Sequence, residues 1–280
     1  MSCRIIDGKA LAEKIRSRIT KEVASMKTKP CLSVVLVGED SASKVYVSMK
    51  EVACIGAGMK SRNIKLPEST TEEKLLAEIR ALNADKSVHA ILVQVPLPKQ
   101  INENRILESV AAEKDVDGFN PCNIGRLHSR SPTFVPATPK GIMRLLDEAG
   151  VELAGKHAVV VGRSNIVGKP VAALLLAADA TVTQCHSKTK DLAAFTKQAD
   201  VLVVAVGKPR MIKKDMVKKG AVVIDAGTSR DANGKLAGDV DESVRDVASA
   251  ITPVPGGVGP MTIAMLLENT LRAARNQGCK

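Results

Sequence analysis

Tyr46 is the only tyrosine in a chain of 280 residues that has three phenylalanines and no tryptophan, and it stands four positions before Lys50 in "YVSMK". The preceding "EDSAS" supplies capping side chains, which places both residues on the first turns of a helix reaching to about Gly56. At i, i+4 they share a face. A flat amphipathic ring beside an amine suits a planar ligand, one group offering a surface and the other moving a proton. The plain alternative is a boundary tyrosine and a solvated lysine. Two further side chains favour the chemical reading. Gln94 stands at the end of an otherwise aliphatic run, "AILVQVPLP" (90–98), where α/β sheets open to ligands, and the prolines after it force a turn. Asp117, in "KDVDGF", is a carboxylate beside a glycine-marked turn.

A second constellation lies in "VVVGRSNIVGKP". Gly162 ends a strand and Gly168 precedes a helix, so Gly162, Ser164 and Gly168 form a strand–turn–helix whose backbone amides can approach a pyrophosphate. Ser164 replaces the usual second glycine and the last spacing is wider, so a plain βα turn stays open beside a dinucleotide site. The next strand ends in "TQCHSKT", without the acid that reads a ribose 2′-hydroxyl. Arg163 and Lys188 instead offer cations to a 2′-phosphate, which favours NADP over NAD; solvated loop residues are the alternative.

The elements that must position these groups alternate along the chain. "CLSVVLVG" (31–38) and "AILVQVPLP" read as buried strands, and 119–139 as a long Pro-, Gly-, Asn- and Ser-rich connection with a domain boundary near its end. Strands at 157–162, 181–185, 201–207 and 221–227, interleaved with helical stretches, imply a parallel doubly wound sheet. The core must be aliphatic, since aromatics are so few, and that suits strands buried on both faces. A net charge of +11 raises the question of nucleic acid, but Lys and Arg are scattered and stacking aromatics are missing. Attraction of small polyanions is the better reading. Six dispersed cysteines form no CxxC pair, so neither a disulfide framework nor a metal site is expected. Neither a signal peptide nor a membrane span is expected, and the reading is a cytoplasmic protein.

These residues lie in a series of motifs, "VGEDSASKVYVSMK", "QVPLP", "EKDVDGFNPCNIGRL", "PATPKGI", "VVVGRSNIVGKPVA", "TVTQCHSKT", "ADVLVVAVGKP", "VVIDAG" and "ITPVPGGVGPMTIAML". Together they resemble the bifunctional methylenetetrahydrofolate dehydrogenase/methenyltetrahydrofolate cyclohydrolase family, called FolD in bacteria, over essentially the whole length. The resemblance implies an α/β protein of two domains with a cleft between them. A folate domain would span 1–138, with a last helix at 262–280 packing back on it, and a Rossmann-like NADP domain would span 139–261. It implies oxidation of 5,10-methylenetetrahydrofolate by NADP, then hydrolysis of the methenyl product to 10-formyltetrahydrofolate, a one-carbon supply for purine biosynthesis. Lys50 is then the central catalytic group, Gln94 its partner, Asp117 the pterin anchor and Tyr46 a wall of the folate site. Pro255, Gly256 and Gly257 join the substrate set. The cofactor set becomes Gly162, Arg163, Ser164, Ile166, Gly168, His186, Ser187, Lys188, Val206, Gly207, Gly227 and Thr228. The implied partners are tetrahydrofolates, including polyglutamylated ones, and a second copy in a homodimer through the NADP domain; neither nucleic acid nor membrane is expected.

Two departures from the family pattern stand out. Ala137 replaces a cysteine that many members carry, and Val52 replaces a basic residue two positions after the lysine, which bears on how its pKa is tuned and on the balance of the two activities. At this length a fused formate-activating ligase domain is not expected. A dehydrogenase lacking the cyclohydrolase step would keep the glycine turn without needing Lys50 paired with Gln94. A basic nucleic-acid binder would account for the charge but not for that turn.

Overall fold

The computed structural model describes residues 3–231 and 234–279. The chain divides into two compact units: Lys14–Ala137 with the residues from Ile263 onward, and the residues up to Glu13 with Thr138–Thr262. The first elements in chain order are β1 (Arg4–Ile5), α1 (Gly8–Ser25), β2 (Cys31–Val37), α2 (Ser41–Gly56), β3 (Lys60–Leu66), α3 (Glu72–Ala84) and β4 (Ala90–Val93). There follow α4 (Glu103–Ser109), α5 (Pro121–His128), α6 (Ala137–Glu148), β5 (His157–Val161), α7 (Gly168–Ala177), β6 (Thr181–Cys185), α8 (Leu192–Thr196) and β7 (Val201–Val204). The last are β8 (Val222–Asp225), the short hairpin β9 (Ser229–Arg230) and β10 (Leu236–Ala237), β11 (Ala250–Ile251) and α9 (Val258–Asn276). No helix of the described residues is long and apolar enough to cross a membrane.

The first unit holds a parallel sheet of order β3-β2-β4. Every residue of β2 is buried, as a central strand covered on both faces requires. Edge strand β3 carries Lys60, Arg62 and Lys65, which keep its open side from pairing elsewhere. Leu75, Ile79 and Leu82 of α3 pack with Val35, Ile91 and Val93 of the sheet. The outer side of β4 is met at one point, where Ile91 bridges Asp115 in parallel and its N–H donates to Lys114 O at 2.8 Å. Asn269 of α9 donates to Val116 O at 2.8 Å and to Val135 O at 2.9 Å, fixing the segment that carries Asp117.

The second unit is a six-stranded, all-parallel sheet of order β1-β11-β8-β7-β5-β6. Its core is the aliphatic set that composition requires, with Val159, Val161, Leu202, Val204 and Val223 buried together. The order reverses at β5, which has β6 on one side and β7 on the other; such switch points receive ligands in α/β sheets.

Three local differences from expectation have physical reasons. The residues before Lys14 join the second unit because β1 pairs with β11, Arg4 N–H donating to Ser249 O and Ile6 N–H to Ile251 O, each at 2.9 Å. The expected long connection contains α5, started by Asn120, whose Oδ1 accepts the Cys122 N–H at 2.8 Å, with Pro121 in the first turn. The last helix begins at Val258, with Pro260 in its first turn where a missing N–H has no partner to lose, and ends at Asn276. The expected limit of that helix, Lys280, lies outside the described residues.

Candidate functional site

The amine constellation is built in the first unit. Gly38, with φ +88°, turns the chain off β2, and Asp40 caps α2 by accepting the Ser43 N–H at 2.8 Å. That helix carries Tyr46 and, one turn later, Lys50. Gln94 follows β4 directly, its N–H donating to Val35 O at 2.9 Å, so its side chain leaves the sheet at the C-terminal edge. Lys50 Nζ donates to Gln94 Oε1 at 2.9 Å, and Gln94 Nε2 donates to Val95 O at 2.7 Å, which fixes the amide with its oxygen toward the amine. The Val95–Pro96 peptide is cis.

Asp117 reaches the same end of the sheet by register, two residues beyond the Ile91–Asp115 bridge, as Gln94 is three beyond Ile91. Buried Asp115 shapes the turn between: its carboxylate accepts N–H from Gly118 at 3.1 Å and Asn120 at 2.8 Å, and Asn123 Nδ2 at 2.9 Å. Gly118 has φ +70°, a conformation glycine adopts freely. Burial pushes the Asp117 carboxyl up to about 6; Lys50 pulls it down and Asp115 pushes it further up. Burial lowers the Lys50 pKa, and the Asp117 charge opposes that. The pair therefore holds an amine whose ammonium form burial disfavours beside a carboxyl whose ionised form burial disfavours.

Tyr46 is 40% exposed, so a ring face is open to a ligand. Val52 is 68% exposed and, two residues on, lies about 200° round the helix from Lys50. The position where many family members have a second basic residue thus faces away from the amine, and Lys50 is tuned by burial and Asp117. Ala137, at the start of α6, is buried.

The predicted cofactor residues lie in the second unit, in loops at the C-terminal ends of β5, β6, β7 and β8. Gly162 has φ +133°, and a Cβ there would come within 2.3 Å of Ala205 O; one on Gly168 would come within 2.3 Å of Gly162 O. The turn therefore admits only glycine at both ends. Ser164 differs from expectation, because its Oγ accepts the N–H of Val167 at 3.1 Å and of Gly168 at 3.3 Å. Those two amides are already satisfied, and an incoming phosphate is left the exposed stretch 163–166, with Arg163 and Ile166. After β6, the His186 N–H donates to Thr189 Oγ1 at 2.9 Å and the Lys188 N–H to His186 Nδ1 at 3.1 Å, a turn that leaves Ser187 and Lys188 exposed and has no carboxylate. That cradle fits a dinucleotide with a 2′-phosphate.

Pro255, Gly256 and Gly257 also belong to the second unit. Gly256 has φ +108° and its carbonyl accepts the Lys9 N–H at 2.8 Å, while a Cβ on Gly257 would come within 2.6 Å of Pro253 O.

Two functional candidates were invisible to sequence reasoning. Asp239 is fully buried and accepts N–H from Val206 at 2.7 Å, Gly207 at 3.0 Å and Lys208 at 2.7 Å. Asp225 accepts N–H from Gly227 at 2.9 Å, Asp239 at 3.0 Å and Val240 at 2.9 Å. The only signal was an acid closing the aliphatic run of "VVIDAG".

Comparison with known proteins gives consistent matches. The family model described as tetrahydrofolate dehydrogenase/cyclohydrolase, catalytic domain, matches residues 6–117, and that of the NAD(P)-binding domain matches 136–278. The bifunctional protein FolD of Geotalea daltonii is 60% identical over 278 residues, which is 98% of this chain and 99% of that protein. The crystal structure of the bifunctional FolD from Campylobacter jejuni superposes with a TM-score of 0.96 at 50% identity, covering 98% of this chain and 99% of that one. The FolD of Trypanosoma brucei, solved with NADP and an inhibitor, gives a TM-score of 0.94 at 41% identity, covering 99% and 98%.

Proposed function

The chain belongs to the tetrahydrofolate dehydrogenase/cyclohydrolase family, and from that premise we propose that Lys50, Gln94, Asp117 and Tyr46 carry its folate chemistry. The protein is an NADP-dependent 5,10-methylenetetrahydrofolate dehydrogenase and 5,10-methenyltetrahydrofolate cyclohydrolase. The cradle at Gly162–Gly168 would hold NADP, which would supply the hydride acceptor for oxidation of the methylene carbon.

The observation that carries the assignment is the 2.9 Å bond from Lys50 Nζ to Gln94 Oε1 in a site where burial disfavours the ammonium. Hydrolysis adds water to the cationic methenyl carbon and takes a first proton from that water; a second proton transfer, to the ring nitrogen that leaves, accompanies cleavage of the C–N bond, while the remaining hydroxyl proton goes to solvent as the formyl C=O forms. Lys50 in its amine form takes the first proton and, as ammonium, gives the second. A glutamine holds the amine without the ion pair that would lock it charged. Asp117, once ionised, accepts paired hydrogen bonds from the amino group and ring N–H of the pterin. Tyr46 lies along the flat ring. By the family pattern, Pro255, Gly256 and Gly257 form a stiff loop assigned to substrate binding. On the cofactor side, Arg163 and Lys188 hold the 2′-phosphate. Ser164, Ile166, Gly168, His186, Ser187, Val206, Gly207, Gly227 and Thr228 make up the rest of the cradle begun at Gly162.

The test mixes purified protein with 5,10-methylenetetrahydrofolate and either NADP or NAD, following reduced nicotinamide, methenyl and formyl products together. Fast NADPH formation ending in 10-formyltetrahydrofolate is expected, with NAD far slower. Methenyl product decaying only at its uncatalysed rate would overturn the role of Lys50. Arg163→Ala is expected to raise the KM for NADP roughly 10- to 100-fold, the value of one charge-assisted phosphate contact. An unchanged KM would mean that the phosphate is read elsewhere.

The family alone supports four finer readings: a homodimer through the second unit, polyglutamylated substrates, a cytoplasmic location, and delivery of the formyl group to purine biosynthesis. Sedimentation at several concentrations should find a dimer; a monomer throughout would remove the first.

A further inference from the structure

A single buried network joins three loops at the C-terminal edge of the second unit's sheet. Val206, Gly207 and Lys208, after β7, donate their N–H groups to the Asp239 carboxylate. The Asp239 N–H passes the connection to Asp225 Oδ1, which also accepts from Gly227 after β8, while Oδ2 accepts from Val240. The Asp225 N–H in turn donates to Thr252 Oγ1 at 2.8 Å, one residue before the Pro253–Gly257 stretch after β11. Space around the carboxylates is closed by glycines. A Cβ on Gly227 would come within 2.5 Å of the Asp239 carboxyl, and one on Gly238 within 1.9 Å of Asp225 Oδ2.

Among the described residues, backbone amides are the only hydrogen-bond partners that hold these two carboxylates, so each has traded hydration for several N–H donors converging from separate loops. Such a build ties the loops to the acids, since an apolar residue in either place would leave those amides without an acceptor. Its effect is geometric: it aims the N–H groups of 206–208 inward and sets those loops at one spacing.

We propose that Asp239, with Asp225 behind it, is a positioning residue for the dinucleotide, holding the 206–208 and 227–228 loops in the arrangement that receives it. The inference rests on the assignment of Val206, Gly207, Gly227 and Thr228 to the cofactor cradle. It adds two residues that need not touch the ligand. Burial pushes the Asp225 carboxyl up to about 6, against the pull of the three N–H groups that donate to it.

The test uses Asp239→Asn, which puts an NH2 group opposite amides that need an acceptor. Calorimetric titration with NADP is expected to show a Kd at least 10-fold weaker. Hydrogen exchange at 206–208 should speed up in the free protein, and hydrolysis of methenyltetrahydrofolate without nucleotide should stay near the parent rate. A merely structural role would lower both activities in proportion to the folded fraction and leave the NADP Kd of the folded fraction unchanged, which would overturn the proposal. Should Asp239→Asn fail to fold, Asp225→Asn is read in the same way, with a smaller loss of NADP affinity expected and an unchanged Kd refuting the inference. Absence of NADP binding in the parent protein would instead refute the cradle assignment on which it rests.

Discussion

Lys50→Met is expected to bring hydrolysis of 5,10-methenyltetrahydrofolate down by about 10²- to 10⁴-fold, the usual contribution of a positioned general acid–base group, while NADP affinity stays at the parent value. The variant should fold at least as well as the parent, because the buried amine carries a desolvation penalty that methionine does not. Its effects reach Asp117 too. Lys50 is the group that pulls the Asp117 carboxyl down, so its removal lets that carboxyl protonate at higher pH and weakens the pterin anchor near neutrality. Lys50→Arg separates the two effects. The guanidinium keeps a positive charge near Asp117 but does not give up a proton, so folate binding should be better preserved than in Lys50→Met while hydrolysis is still lost. Stopped-flow loss of the methenyl absorbance, with NADP titration as the control, reads both. Hydrolysis at the parent rate in Lys50→Met would end the assignment.

Asp117→Asn is expected to pull stability and function in opposite directions. The amide keeps the shape of the carboxyl but offers one acceptor and one donor where the pterin presents two donors. Folate affinity should fall roughly 10- to 100-fold, the value of losing a charge-assisted pair. Stability should rise at neutral pH. A carboxyl pushed up to about 6 from an ordinary 3.8 binds its proton more tightly in the folded state, so its contribution is fully present below about 4 and is lost as pH rises through 6. That loss is at most about 3 kcal/mol for a shift of this size. Asp117→Asn removes that pH dependence, so denaturant midpoints of the two proteins should converge near pH 4 and separate above 6, with the variant the more stable. Parent folate affinity should fall as pH drops below about 6, because the anchor acts as a carboxylate. Equal affinity in Asp117→Asn and parent at pH 8 would remove Asp117 from the site.

What could be seen in the sequence follows from what is local. The i, i+4 spacing of Tyr46 and Lys50, the capping run before them, the aliphatic strands and the glycines at 162 and 168 are each set by a few neighbouring residues, and their periodicity carries the geometry. Helix α5 shows the limit of that reading. Its Asn120–Pro121 start is a legitimate signal, masked by the surrounding loop-forming residues. Ser164 shows another: its position named it a substitute for glycine, while its hydroxyl accepts the N–H groups of Val167 and Gly168 in the turn before α7.

The aliphatic α/β character, the two chemical constellations and, through nine ordered motifs, the family to which the chain belongs are all written in the order of its residues. It took the folded chain to show that the amine donates to Gln94 with its oxygen turned inward, that Val52 faces away, that β1 completes the second unit's sheet, and that Asp225 and Asp239 tie its loops together. The physical reason is common to all four. Which way an amide turns, how far burial moves a pKa and which distant amides converge on a carboxylate depend on groups brought together from far along the chain, and no short stretch of residues carries that information.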